Sequence, residues 1–158
     1  LGRSRGGFGS KFHLVTDGRG LPLAVEVTPG QRHEAKQFEE LMNAVRVSEI
    51  CQRSQELPSA LAGDKGYSST QIREWLRDHG IRAVIPYRKD ERPQNPEEIE
   101  EFDRKIYRRR SIIECCISWL KECRRVATRF EKLARNFLAV IKVAIIQRYL
   151  RRKFSDRA

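Results

Sequence analysis

The sequence predicts a mixed α/β domain with a central sheet and flanking helices. The chain has 158 residues, which fits one domain, and hydrophobic residues make up 39% of it, enough to form a core. Short segments rich in β-branched and aromatic residues alternate with longer segments whose apolar residues recur at helical spacing. The predicted order is hairpin, helix, strand, helix, strand, linker and two helices, and this mixture is typical of an α/β fold.

The first 86 residues are predicted to form the sheet part of the domain. The turn sequence Asp17-Gly-Arg-Gly separates two strand-like segments and predicts a hairpin. Ser68 and Gln71 resemble a capping box, and Gly80 is a typical residue for the end of the helix that follows. Strands are predicted over residues 8–16, 21–28, 59–63 and 81–86, and helices over residues 33–47 and 68–79.

The rest of the chain is predicted to be a linker followed by a helical part. Residues 87–100 are charged and contain Pro93 and Pro96, which indicates a linker. The helical part covers residues 101–158. Two long helices are predicted within it, over about residues 101–124 and 131–152.

Charge is distributed unevenly along the chain, whose net charge is +11. Residues 1–103 contain 15 basic and 17 acidic side chains, whereas residues 104–158 contain 17 basic and 4 acidic ones. A basic block of this kind favours a polyanionic partner, and DNA or RNA is the polyanion that fits best. The alternative is a solvated helical surface on which lysine and arginine serve solubility.

The cysteines and the apolar segments indicate a soluble protein of a reducing cytoplasm. The four cysteines form no C-x-x-C pair, so a disulfide framework is not expected, and the three in the helical part are predicted to be small buried residues. The longest apolar stretch, residues 137–146, is interrupted by Lys142 and is shorter than the ~20 residues that a membrane span needs. Residues 1–11 are glycine-rich and basic, unlike a signal peptide.

Glu114 is the first candidate site residue, because it lies in a strongly basic predicted helix. On a continuous helix with 100° per residue, Tyr107, Arg110, Glu114 and Lys121 share a stripe about 60° wide and about 21 Å long. A carboxylate in this stripe can hold Mg²⁺, while the cationic side chains can bind flanking phosphates. The alternative is an ordinary amphipathic helix with an Arg110–Glu114 pair on its surface.

Asp64 is the second candidate. It follows the predicted strand over residues 59–63 and precedes Lys65-Gly66-Tyr67. A carboxylate at the carboxyl end of a sheet strand is well placed to bind a ligand or a metal ion. The alternative is a turn-forming aspartate before a glycine.

Four segments, in chain order, resemble bacterial insertion-sequence transposases of the DDE class. Gly2-Arg-Ser-Arg-Gly-Gly-Phe, leading into Lys11-Phe-His-Leu, is similar to the stretch after the family's first catalytic strand, and Gly63–Tyr67 to the segment around its second aspartate. Arg124–Lys132 is similar to the continuation after the family's glutamate helix. The Y-(2)-R-(3)-E-(6)-K signature is matched by Tyr107, Arg110, Glu114 and Lys121.

The resemblance implies a ribonuclease-H-like fold and a transposase that cleaves and transfers DNA strands. It implies two Mg²⁺ or Mn²⁺ ions, with Asp64 and Glu114 as catalytic metal ligands. The implied partners are the transposon ends, the target DNA and further copies of the chain in a homo-oligomer, bound to the bacterial nucleoid. The residues expected to position DNA are Tyr107, Arg110 and Lys121 of the signature and the neighbouring Arg108, Arg109 and Arg124.

The family's first catalytic aspartate is expected on a strand upstream of Gly2. Asp17 does not fill the role, because it lies in the predicted hairpin turn. The sheet is therefore expected to lack its first strand. The chain is interpreted as a fragment, a truncated copy or a second reading frame, and it is expected to be inactive alone. The alternative function is a non-catalytic nucleic-acid-binding remnant of a transposase, and a third hypothesis is an unrelated α/β domain that binds RNA.

Overall fold

The chain divides into two units in a computed structural model, which describes residues 2–4, 7–30, 37–47, 58–95 and 102–155. The terminal unit combines residues 1–32 with residues 112–158, and the middle unit comprises residues 33–111. Strands and helices occur together in the described residues, as the predicted α/β class requires. No helix among these residues is long and apolar enough to cross a membrane.

The terminal unit contains an antiparallel sheet of three strands in the order β1-β2-β3. Its bounds are β1 Gly2–Ser4, β2 Gly7–Thr16 and β3 Pro22–Pro29, so the predicted hairpin is confirmed and β1 is an additional strand. Asp17 closes the hairpin turn, because its Oδ1 accepts hydrogen bonds from the backbone N–H groups of Arg19 and Leu21, both at 2.8 Å. Gly20 completes the turn with a φ of +78°, which favours glycine.

Helices from the end of the chain cover one side of this hairpin. They are α4 Ser111–Glu122, whose first residue belongs to the middle unit, α5 Arg124–Thr128 and α6 Ala134–Ser155. α6 confirms the second predicted helix. The core of the unit joins strand and helix residues that are at most 7% exposed: Leu14, Val25, Cys116, Leu120, Val126, Phe137, Ile141 and Ala144.

The middle unit contains a parallel pair of short strands connected through a helix. Its elements are α1 Phe38–Val47, β4 Ala60–Ala62, a 3₁₀ turn Lys65–Tyr67, α2 Thr70–Asp78, β5 Arg82–Val84 and α3 Arg104–Arg108. The two strands are aligned from Ala60 opposite Arg82 to Ala62 opposite Val84. The predicted connection 48–57 and residues 96–100 of the predicted linker lie outside the described residues.

The start of α2 differs from the predicted capping box. Ser69 occupies the N-cap position without a side-chain cap hydrogen bond. Ser68 accepts a hydrogen bond from the backbone N–H of Arg88 at 3.2 Å, and Gln71 donates to Glu39 at 3.0 Å, so both predicted capping side chains are bound to distant partners. The predicted end of the helix is confirmed, because Gly80 has a φ of +67°.

The single helix predicted over residues 101–124 is wrong, because the chain forms two helices there, α3 and α4, and α5 begins where the predicted helix ends. After α3, the N–H groups of Arg109 and Arg110 donate to carbonyl oxygens only three residues back, at 3.0 Å each. The Ser111 hydroxyl then donates to the carbonyl oxygen of Arg108 at 3.2 Å. A serine hydroxyl that competes for a helix carbonyl favours a break, so α4 begins as a separate helix.

The cysteines match their predicted burial only in part. Cys116 is fully buried, and this burial raises the pKa of its thiol above the ordinary value of 9.0. Cys123 is half-buried and occupies the N-cap position of α5 without a side-chain cap hydrogen bond, whereas Cys115 is exposed, so the prediction of a buried residue is wrong for Cys115. Cys115 and Cys116 are consecutive on α4 and therefore point in different directions. Cys51 lies outside the described residues.

Replacing Asp103 with alanine is expected to destabilise α3 near neutral pH. Asp103 is the N-cap of this helix, and its Oδ1 accepts the N–H groups of Lys105 at 2.9 Å and Ile106 at 3.0 Å. The hydrogen bond from Ile106, the largest cause, lowers the pKa of Asp103 below its ordinary value of 3.8. Because the folded pKa is lowered, this contribution is present above pH 3.8 and is lost as pH falls through the folded value.

Thermal unfolding at neutral pH and at stepwise lower pH measures this effect. Asp103→Asn is the matched control, because asparagine retains the capping oxygen but has no carboxylate to titrate. The stability difference between the parent chain and Asp103→Asn should shrink as pH falls below 3.8. A difference that stays constant across this range would contradict the role of the charged cap.

Candidate active site

Asp64 lies just beyond the carboxyl end of β4, in the tight turn that leads to α2. Its side chain is exposed, its Oδ1 accepts the N–H of Gly66 at 2.8 Å, and its carbonyl oxygen accepts the N–H of Tyr67 at 3.1 Å. Gly63 fits closely before it, because an added Cβ would lie 3.2 Å from Cγ1 of Ile85. Asp64 thus has the turn-forming role weighed above, and its carboxylate also remains accessible to solvent.

The residues that follow β5 reach the same end of the parallel strand pair. The N–H of Gly63 donates to the carbonyl oxygen of Val84 at 3.3 Å, which extends the pairing beyond the strands. Arg88, four residues later, donates to the carbonyl oxygens of Lys65 and Gly66 in the Asp64 turn. Arg88 lies in the linker predicted over residues 87–100, and its contact with this turn was not predicted. The signal available in the sequence was its position two residues after the predicted strand 81–86.

Glu114 and Lys121 lie on the exposed side of α4. They are seven positions apart, which is about two helical turns, so they share one face. Both are exposed, while Cys116 and Leu120 on the same helix are fully buried. The predicted division of this helix into a polar and a buried face is therefore confirmed.

The four-residue stripe predicted on one continuous helix is wrong. Tyr107 lies on α3 and Arg110 in the turn after it, whereas Glu114 and Lys121 lie on α4. The helical arithmetic that put all four on one face does not apply across the break at residues 109–110.

Tyr107 and Arg110 remain close to each other despite this break. The Arg110 guanidinium lies 5.6 Å from the centroid of the Tyr107 ring, within the range of a cation–π interaction. The ring of Phe102 lies 5.0 Å from the same ring. The turn between α3 and α4 therefore holds a phenol and a guanidinium side by side.

The predicted site residues are divided between the two units. Asp64, Tyr107 and Arg108–Arg110 belong to the middle unit, and Glu114, Lys121 and Arg124 to the terminal unit. Arg108 and Arg109 are exposed, as is Arg124 on α5. Accessible basic groups thus occur in both units.

The carboxylates of Asp64 and Glu114 fit a divalent cation by their chemistry, because Mg²⁺ and Mn²⁺ prefer oxygen ligands. Both side chains are exposed, so a cation in solution can reach each of them. Within the described parts of the chain, however, no group of three or more histidine, cysteine, aspartate or glutamate side chains is arranged to hold a metal ion. Each of these two carboxylates can therefore supply part of a ligand set.

Known proteins resemble this chain over most of its length. A family described as a transposase DDE domain matches residues 2–147. A protein of Burkholderia cepacia named as a transposase for insertion sequence element IS402 is 31% identical over 136 residues, 85% of this chain and 60% of that protein. A protein of Brucella ovis named as a transposase for insertion sequence element IS6501 is 26% identical over 145 residues, 90% of this chain and 98% of that protein. No solved structure matches significantly.

Proposed function

Because the chain belongs to the transposase DDE domain family, we propose that it is the catalytic part of a bacterial insertion-sequence transposase that cleaves DNA strands and joins them to new sites. It spans 60% of the length of the IS402 relative, so the activity of a whole transposase is part of this proposal. The ribonuclease-H-like fold is also proposed, and the antiparallel β1–β3 sheet, the parallel β4–β5 pair and the flanking helices are compatible with it.

The observation that carries the proposal is the placement of Asp64. An exposed carboxylate at the carboxyl end of a parallel strand, in a turn fixed by its own hydrogen bonds, is a typical position for a ligand-binding acid. We assign Glu114, exposed on α4, as the second acid. Divalent cations bound by such acids supply the positive charge that activates the attacking hydroxyl group and stabilises the leaving oxygen of an in-line displacement.

The other signature residues are proposed to hold DNA. Arg110 and Lys121 carry N–H donors that can bind phosphate oxygens, and the Tyr107 ring beside Arg110 limits the directions that its guanidinium can take. Arg108, Arg109 and Arg124 are exposed and would add contacts to the same polyanion. These residues orient the strand, while the two acids act at the bond that is cleaved.

Metal-dependent strand cleavage tests this function. The protein for the assay is a transposase that carries this chain together with a third carboxylate, because the family's catalytic metal ligands include a further aspartate. DNA bearing the ends of the element should be cleaved with Mg²⁺ or Mn²⁺ and left intact with a chelator. DNA binding with no cleavage under any metal condition would favour the non-catalytic remnant instead.

We expect the 158-residue chain to bind DNA without sequence preference and with a steep dependence on salt. Residues 104–153 contain 16 basic and 3 acidic side chains, and each phosphate that a cation neutralises releases counterions. Replacing Arg108, Arg109 and Arg124 with glutamate should weaken binding and flatten the salt dependence. Fluorescence anisotropy with labelled duplexes between low and moderate salt measures both effects.

The matched control replaces three exposed arginines of residues 1–103, Arg19, Arg77 and Arg92, in the same way. This control changes the net charge by the same amount but leaves the basic helices intact. Equal loss of binding in both triple variants, or an affinity that does not change with salt, would contradict the proposed DNA surface.

A further inference from the structure

We propose that Arg88 is a positioning residue that fixes the orientation of the Asp64 carboxylate. The inference rests on the proposed function for its catalytic consequence, but the structural part stands on contacts within the middle unit alone. Arg88 is half-buried and follows β5 by four residues, and 24 positions separate it from Asp64 in the sequence.

Three hydrogen bonds connect Arg88 to the segment that follows Asp64. Its Nε donates to the carbonyl oxygen of Lys65 at 3.1 Å, and its Nη2 donates to that of Gly66 at 3.2 Å. Its backbone N–H donates to the hydroxyl oxygen of Ser68 at 3.2 Å, and Ser68 is 1% exposed. The side chain of Arg88 therefore binds the 3₁₀ turn, and its backbone amide binds Ser68, the residue that ends this turn.

The peptide group between Lys65 and Gly66 transmits this constraint to Asp64. The Arg88 side chain donates to the C=O of that peptide group, which belongs to Lys65. The N–H of the same peptide group, which belongs to Gly66, donates to Oδ1 of Asp64 at 2.8 Å. Because a peptide group is planar, fixing the C=O direction also fixes the direction of the N–H. The guanidinium thus sets the position of the Gly66 N–H, which orients the Asp64 carboxylate. Arg88 therefore acts on Asp64 through this amide group.

The geometry requires an arginine in particular. A planar guanidinium presents parallel N–H donors that can bind two neighbouring carbonyl oxygens at once, whereas a lysine ammonium is a single flexible group. The parallel pairing of β4 and β5 brings the residues after both strands to one end of the pair, which explains how Arg88 reaches a turn more than twenty residues earlier.

The structural part is tested on the 158-residue chain by the proton chemical shift of the Gly66 backbone amide, which reports its hydrogen bond to Asp64. The shift is measured by NMR in the parent chain, in Asp64→Ala, in Arg88→Ala and in the double variant. We expect the change caused by Asp64→Ala to fall to about half or less when Arg88 is absent, because the donor then loses its fixed direction. Arg82→Ala, an exposed arginine of the same strand pair, is the control and should leave that change unaltered.

The catalytic consequence is tested in a transposase that carries this chain. Arg88→Ala should lower metal-dependent cleavage about 10- to 100-fold, as is typical for partners of metal ligands, while DNA affinity is retained. Arg88→Lys should not restore cleavage, although it retains the positive charge. Should the alanine variant fail to fold, the lysine variant serves for both measurements.

Asp64→Ala changes the chemical shift of the Gly66 amide proton by a certain amount. The inference would be overturned if this change were the same in the parent chain and in Arg88→Ala. Full cleavage by Arg88→Ala, in a protein whose cleavage requires Asp64, would overturn it as well. If Asp64→Asn cleaves DNA normally, the proposed function fails, yet the NMR comparison still decides whether Arg88 orients the carboxylate.

Discussion

Replacing Asp64 with asparagine is expected to abolish metal-dependent cleavage by a transposase that carries this chain, with a loss of about 10³-fold or more. A metal ion in such a site supplies several kcal/mol of charge stabilisation, and each 1.36 kcal/mol corresponds to a factor of ten in rate. Asparagine retains the side-chain oxygen that accepts the N–H of Gly66, so the turn should persist while the negative charge is lost. Gel analysis of cleaved element ends at saturating metal measures the loss.

Asp78→Asn is the matched control, because Asp78 is an exposed aspartate at the end of α2 in the same unit. It should cleave DNA at the rate of the parent protein. Glu114→Gln should reproduce the loss seen with Asp64→Asn, and the double variant should be no worse than either single one, because the residues act as a unit. Normal cleavage by Glu114→Gln beside an inactive Asp64→Asn would refute the assignment of Glu114 alone.

Replacing Leu120 with alanine is expected to destabilise the terminal unit by about 2–5 kcal/mol, the usual range for this change in a core. Leu120 is fully buried, on the same side of α4 as the buried Cys116 and within the core shared with the hairpin. The vacated volume would deprive its neighbours of contacts, and the melting temperature of this unit should fall by roughly 8–40 °C.

Urea unfolding followed by Trp119 fluorescence measures this loss in the unit that contains Leu120. The chain has two tryptophans, so a Trp75→Phe background removes the signal of the middle unit. Ser118→Ala, at an exposed position of the same helix, should stay within about 0.5 kcal/mol of the background. A similar loss in both variants would mean that α4 does not form its buried face as described.

The parts of the fold that sequence predicted depend on local chemistry. The hairpin follows from the side-chain hydrogen bonds of Asp17 and from the positive φ of Gly20. Both act within five residues of the chain. Gly80 ends α2 for a similar reason. The two faces of α4 follow from helical periodicity, and the periodicity holds because the helix is uninterrupted between Glu114 and Lys121.

The parts that sequence did not predict depend on competition with distant or unexpected partners. Ser68 could have capped α2, but the backbone of Arg88 binds its hydroxyl from twenty residues away. Ser111 looks like an ordinary helix residue, yet its hydroxyl takes the carbonyl oxygen of Arg108 at the break. Periodicity carries no information about such competition, so it extended one helix through residues 109–110.

The candidate site divides in the same way. The strand-end position of Asp64 could be predicted, because a short apolar segment followed by Gly63 indicates a strand and a turn. The hydrogen bonds from Arg88 to that turn could not be predicted, since they depend on the pairing of two strands that are separated by a helix. That Asp64 and Glu114 hold the same metal ions stays a prediction.

The division of the terminal unit between the two ends of the chain has a consequence for its synthesis. The ribosome makes β2 and β3 before the helices that cover Leu14 and Val25, which are encoded about 80 residues later. At ~5–20 residues per second, the apolar side of the nascent hairpin stays uncovered for about 4–16 s before those helices are synthesised. The middle unit is continuous in sequence and can fold during this delay. The nascent hairpin is therefore the segment for which chaperones and neighbouring nascent chains would compete.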